Sequence, residues 1–136
     1  MPFTLKKAER LSKKKIIEKM FQGGVSRSFS IFPLRVVYLS AEEQEVSLSM
    51  MISVSKRHFK RAVKRNRVKR IIRETWRLHK GPLQERLAAQ HLHIAVALIY
   101  FSDRLPEFAQ AEKTLKIIVQ RLMECYPNPA EDETIV

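Results

Sequence analysis

Arg65, Asn66 and Arg67 stand side by side in the stretch Lys56–Arg77, KRHFKRAVKRNRVKRIIRETWR, where eleven Lys and Arg face a single acid, Glu74. A guanidinium can hold a phosphate through two parallel hydrogen bonds, and a carboxamide such as Asn66 offers both a donor and an acceptor to a base edge or a ribose. This is the chemistry of gripping a polyanion. Neutralising roughly 6–10 phosphates in this way makes affinity fall by orders of magnitude between low and physiological salt.

Bond-breaking chemistry has no comparable signature. An enzyme acting unaided on phosphodiesters gathers carboxylates for a divalent metal or pairs a nucleophile with a base. Here Glu42, Glu43 and Glu45 fall in an expected turn, and Glu131, Asp132 and Glu133 fall near the end of the chain. His58, His79, His91 and His93 lack the paired spacing of a helical metal site, and no Gly-rich phosphate loop occurs. The expectation is a protein that carries neither catalytic groups nor a metal of its own.

The element that must carry the cations is a helix. At about 100° per residue, Val68, Ile71, Ile72, Thr75, Trp76 and Leu78 gather on one side; Asn66, Arg70, Arg73 and Arg77 gather opposite, with Arg67 and Lys69 flanking them. The helix is predicted to begin between Phe59 and Ala62 and to end near Lys80, before Gly81-Pro82. Ala62 and Val63 fall off the apolar side, so the first turns are not seated as the later ones are. With one acid among so many cations, ion pairing on the helix cannot account for the charge.

The rest of the chain reads as a scaffold. Its 136 residues carry a formal net charge of +12 and a pI near 10.2. Lys56–Arg77 supplies +10 and residues 1–21 supply +5, which leaves −3 elsewhere. Residues 1–126 are expected to form one domain and 127–136 a disordered acidic tail. In the first segment Ser12 is a candidate N-cap, Lys13, Lys14 and Lys15 occupy the first helical turn where the dipole disfavours cations, and Gly23 is the stop. Arg10, Lys13 and Lys14 are therefore candidate contacts for an anionic partner. The single Cys125 forbids an internal disulfide, the N-terminus lacks the apolar core of a signal peptide, and the run Ile94–Phe101 is too short to span a bilayer, which takes about 20 residues. A soluble cytoplasmic protein without membrane contact is expected.

Phe29–Leu39 alternates as one strand with Pro33 marking an edge or bulge, and Ala41–Glu45 is a hairpin-length connection. Val46, Leu48, Met50, Ile52 and Val54 alternate with Ser47, Ser49, Met51, Ser53 and Ser55, which leaves a shallow second face. With Arg35, Val37 and Phe21 beside it, that face could form a cleft for a single strand; Phe21 could equally be core. Pro82–Ala89 can form a short helix. His93–Phe101 reads as a strand covered on both faces, so strand, helix and strand suggest a crossover with parallel pairing. After Pro106, Phe108, Ala111, Leu115, Ile118, Leu122 and Cys125 recur as the core stripe of a last helix, which argues against a dimer seam and for one copy per partner.

Ser53-Val-Ser-Lys56 leading into Ala62-Val63-x-Arg65-Asn66-Arg67-Val68-Lys69-Arg70-Ile71-Ile72-Arg73-Glu74 resembles the signature of the protein component of bacterial ribonuclease P. The resemblance runs over residues 10 to 125 and includes Arg10-Leu11 and Met20-Phe21-x-Gly23. It implies an α+β fold, an α/β two-layer sandwich in the order α-β-β-β-α-β-α with a left-handed crossover around the basic helix. One of the two strands before that helix should then be broken. It also implies a catalytic RNA that cleaves precursor tRNA with bound Mg2+, the protein contacting that RNA and the 5′ leader. By motif match Arg65, Asn66, Arg67, Lys69, Arg70 and Arg73 face the catalytic RNA, Lys56 sits at the mouth of a leader cleft and Phe21 is a cleft aromatic; Arg57, Lys60, Arg61 and Lys64 join the candidate RNA contacts, and Arg35, Val37 and Ser53 the candidate cleft. Where the family has a second cleft aromatic, this chain has Ile17. A ribosomal-type RNA binder or a helix-in-groove DNA binder is the competing class.

Overall fold

The strand IAVALIY lies between two others and has no edge exposed to solvent. In the computed structural model, which describes residues 14–22, 26–42 and 44–127, the elements are α1 (Lys14–Phe21), β1 (Arg27–Ile31), β2 (Leu34–Ser40), β3 (Leu48–Val54), α2 (Ala62–His79), α3 (Gly81–Ala89), β4 (Ile94–Tyr100) and α4 (Phe108–Cys125). The sheet order is β1-β2-β4-β3. β4 pairs antiparallel with β2 and parallel with β3, so the β3-α2-α3-β4 segment is the expected crossover.

Side chains of period two divide the sheet into unlike faces. Leu34, Val36, Leu48, Met50, Ile94, Val96, Leu98 and Tyr100 point to the main core, which α2, α3 and α4 cover with Val68, Ile72, Trp76, Leu83, Leu87, Leu115 and Ile118. The opposite face is a smaller cluster in which Ile16 and Met20 of α1 press on Val37, Leu39, Ala41, Ala95 and Ala97. Each large aliphatic side chain so buried contributes about 1.5–3 kcal/mol. The buried Thr75 hydroxyl is satisfied by the carbonyls of Ile71 and Ile72, at 3.2 and 2.8 Å. Lys80 links α2 to α3: its N–H closes α2 on the Trp76 carbonyl at 2.9 Å, and its Nζ donates to Gln84 Oε1 at 3.1 Å.

Three expectations change. Phe29–Leu39 is not one strand as its alternation reads but two, the break that the resemblance implied: the chain reverses at Phe32-Pro33 and β1 folds back on β2 with Ile31 opposite Leu34. Pro33 thus marks a turn, with its carbonyl accepting the Phe101 N–H at 3.0 Å. The segment after Ala41 is not a hairpin, since β4 lies between β2 and β3. Gln44 anchors it there: the buried carboxamide donates to the carbonyls of Val46 (3.0 Å) and Ile94 (2.9 Å) and accepts from Ser49 at 2.6 Å. The stripe of α4 omits its predicted ends: Phe108 and Cys125 are exposed, and Thr114 and Val119 take up the seam. Ser12 and the segment 128–136 lie outside the described residues.

At the far end of α4, Tyr38 and Cys125 are hydrogen-bonded at 3.2 Å, and Tyr126 packs edge-on to Tyr38 with ring centroids 6.4 Å apart. Burial, reinforced by Tyr38 and Cys125, pushes the Tyr126 phenol up to about 12. A phenol whose pKa is raised by folding stabilises fully below its unfolded value near 10 and loses that contribution as pH rises through the folded value. Wild-type stability should therefore fall between pH 10 and about 12. Tyr126→Phe should flatten that fall, as read from urea melts across the alkaline range.

Candidate nucleic-acid interface

The start of α2 is left open. Its N-cap, Arg61, has extended backbone and makes no side-chain cap, and the first turn contains no acid. The amides of this turn lack helical acceptors, and the positive end of the helix dipole lies there. Lys60, Arg61 and Lys64, all exposed, add charge of the same sign. Such an end suits an anion supplied from outside.

What holds these turns off the core is the segment before them. Phe59 is buried against Tyr100, ring centroids 6.1 Å apart. Ser55 accepts the N–H groups of His58 and Phe59 on its carbonyl (3.2 and 3.1 Å) and that of Arg57 on its hydroxyl (3.0 Å). The His58 ring meets Asp103 at 2.5 Å, which ties this segment to the loop after β4. Arg65 completes the latch: its Nη1 donates to the carbonyls of Phe59 and Lys60, both at 2.8 Å.

The arginines of the signature therefore differ. Arg65 is half-buried and engaged, whereas Asn66, Arg67 and Arg70 are exposed, with Lys69 and Arg73 half-buried beside them. Among the described residues, Lys60, Arg61, Lys64, Arg67, Lys69, Arg70 and Arg73 form no salt bridge. Arg77, predicted for the same face, is instead forked onto Glu74, with Nε 3.1 Å from Oε2 and Nη2 on Oε1. That guanidinium holds the Glu74 carboxyl below its ordinary value. Lys56 and Arg57 are exposed where the chain leaves β3.

On the α1 side of the sheet, register aligns the predicted cleft residues in rows. Arg35, Ile99 and Ser53 form one row, and Val37, Ala97 and Met51 the next. Phe21 is 53% exposed and so is not core, Arg35 is exposed, and Ser53 and Ile17 are half-buried. Val37, only 4% exposed, lies beneath α1 and does not line the cleft. Ser49 is closed off by Gln44. Ile99 and Met51, both half-buried, lie in these two rows on the same face. The alternation of Ala95, Ala97 and Ile99 with the larger Val96 and Leu98 is the signal for that face. Lys14 lies 4.0 Å from Glu18, a loose surface pair, while Arg10 and Lys13 lie outside the described residues.

Two of the remaining histidines join elements of the fold, and His91 is exposed. His79 meets Glu112 at 3.1 Å, joining α2 to α4, and His93 Nδ1 lies 3.0 Å from the Val46 carbonyl. Among the described residues, no three His, Cys, Asp or Glu gather for a metal ion, and no helix is long and apolar enough to cross a membrane.

An α+β fold that presents one long helix with an uncapped, cationic outer side belongs to the class of nucleic-acid-binding proteins. Comparison with known proteins narrows the class. The Ribonuclease P family model matches residues 5–123. The chain is 40% identical over 129 residues to the ribonuclease P protein component of Porphyromonas gingivalis, covering 94% of this chain and 93% of the relative. It is 28% identical over 130 residues to that of Chlorobium phaeobacteroides, covering 88% and 86%. The solved structure of the Staphylococcus aureus RNase P protein superposes with a TM-score of 0.62 at 25% identity, covering 89% of this chain and 100% of the other. The chain belongs to the ribonuclease P protein family, the protein subunits of a ribonucleoprotein endoribonuclease.

Arg65 and Arg67 should separate in mutagenesis. Arg67→Ala should leave stability within about 0.5 kcal/mol, weaken RNA binding and reduce the slope of log affinity against log salt by about one. Arg65→Ala should lower stability by about 1–3 kcal/mol, since two carbonyls lose a charged donor. Thermal melts paired with filter binding at several salt concentrations check both.

Proposed function

We propose that this ribonuclease P subunit binds the catalytic RNA through the outer side of α2 and holds the 5′ leader of precursor tRNA in the cleft between α1 and the sheet. The observation that carries this reading is the uncapped and unpaired cationic start of α2, which joins directly, through Arg57 and Lys56, to the end of β3. A backbone gripped by Lys60, Arg61, Lys64, Asn66, Arg67, Lys69, Arg70 and Arg73 is thereby placed next to a strand lying across Ser53, Ile99 and Arg35.

The protein's part is to bind and position. Phosphodiester hydrolysis falls to the RNA partner and the Mg2+ bound with it, and the chain contributes charge neutralisation that lets two polyanions approach. Arg35 is the cation available to leader phosphates on the cleft floor, and Phe21 is the ring on which a leader base can lie. With Ile17 where the family carries a second aromatic, the leader is held through one ring and apolar contact. One protein per RNA fits a final helix whose apolar stripe is spent on its own core, and processing of precursor tRNA fits action in the cytoplasm.

Adding the protein to its cognate RNA at moderate salt should raise the rate of precursor-tRNA cleavage, and the gain should grow as the leader is lengthened from one to several nucleotides. Arg35→Ala should remove most of the leader-dependent gain while leaving affinity for the catalytic RNA unchanged. No gain over the RNA alone would overturn the reading; a gain independent of leader length would remove the cleft assignment.

A further inference from the structure

Phe32 and Phe101 form a solvent-facing aromatic pair that neither the core nor the cleft uses. Phe32, at the β1–β2 turn, is 69% exposed, and Phe101, just past β4, is 37% exposed. Their rings meet edge to face with centroids 5.4 Å apart, which leaves ring surface free. Beside them opens a cavity of about 450 Å3, whose walls include Phe32, Tyr100, Arg104, Glu107, Gln110 and Ile72. Its size falls among small-ligand sites of about 300–1,000 Å3.

The site is built and pre-ordered. The Phe101 N–H donates to the Pro33 carbonyl at 3.0 Å, the Tyr100 hydroxyl donates to the Arg104 carbonyl, and Asp103 is held by His58. Its polar lining mixes Arg104 with Glu107 and Gln110. A carboxylate at this position disfavours a phosphate, whereas donors and an acceptor around an apolar slot match the edge and face of a nucleobase.

We propose that Phe32, Phe101 and this cavity receive one unpaired base of the catalytic RNA. The assignment rests on the proposed binding of that RNA by α2. Two observations tie the site to α2 and not to the leader cleft. The cavity opens on the sheet face that α2 and α4 cover, with Ile72 of α2 in its wall, whereas Arg35, Ile99 and Ser53 lie on the other face. The His58–Asp103 pair also joins the rim loop to the basic segment that leads into α2.

The test compares Phe32→Ala/Phe101→Ala, Phe32→Leu/Phe101→Leu and Arg67→Ala in the assembled protein–RNA complex, with circular dichroism and melting to verify folding. Loss of base stacking should weaken binding of the catalytic RNA about tenfold or more in both double variants, with the salt slope unchanged because no phosphate contact is lost. Chemical probing should show one RNA base becoming more reactive when the aromatics are removed. Unchanged affinity in a folded Ala double variant, while Arg67→Ala weakens binding, overturns this site and leaves the function standing. Weakened leader binding with unchanged affinity for the catalytic RNA also overturns it, since the occupant is then the substrate. If the wild-type protein does not bind the RNA at all, the functional reading fails with it.

Discussion

Like-charge repulsion along α2 is the constraint that the rest of the structure answers. Arg65–Lys69, Lys69–Arg73 and Arg73–Arg77 are four residues apart within the helix, and each such pair opposes it by about 0.2–0.5 kcal/mol. The inner side offsets this several times over, because Val68, Ile72 and Trp76 are fully buried and each large apolar side chain contributes about 1.5–3 kcal/mol. The helix therefore folds without its anion. Its one acid, Glu74, is used on Arg77, at the end away from the open turn.

Where apolar seating runs out, toward the N-terminus of α2, the fold changes its means. Ala62 and Val63 are exposed, and the turns are held by Phe59 on Tyr100 and by Arg65 on two carbonyls. A guanidinium suits this task because it remains charged and its fork can span neighbouring acceptors, and its charge still adds to the field in front of the helix. Holding the segment in place beforehand lowers the entropy lost in any association it enters.

Much of this was legible in the sequence, for reasons tied to particular residues. The bounds and sides of α2 followed from its period, and the strand Leu48–Val54 from its alternating serines. The division of Phe29–Leu39 did not, because both halves share one alternation and the reversal resides in a single Phe-Pro pair. Parallel pairing followed from the apolar run of β4, but placing β4 between β2 and β3 depends on the anchoring of Gln44, which leaves no local periodic trace. Val37 was misassigned to the cleft because alternation fixes which face a residue points to and not what covers that face. The double use of arginine was equally hidden: Arg65 and Arg67 share one signature, and only the path of residues 55–60 decides that the first is latched and the second free.

The parallel pairing of β3 with β4 has the widest reach. It places Val54 opposite Tyr100, so the segment leading into α2 and the loop leading into α4 leave the sheet at the same end. His58 and Asp103 can therefore meet across 45 residues of sequence. Antiparallel pairing would send the loop after β4 to the opposite end of the sheet, away from the basic segment. Parallel strands need a long crossover, and here the crossover contains the basic helix α2. The connection that makes the pairing possible thus also supplies the charge, and the pairing brings Lys56, the start of α2 and Phe101 to one rim.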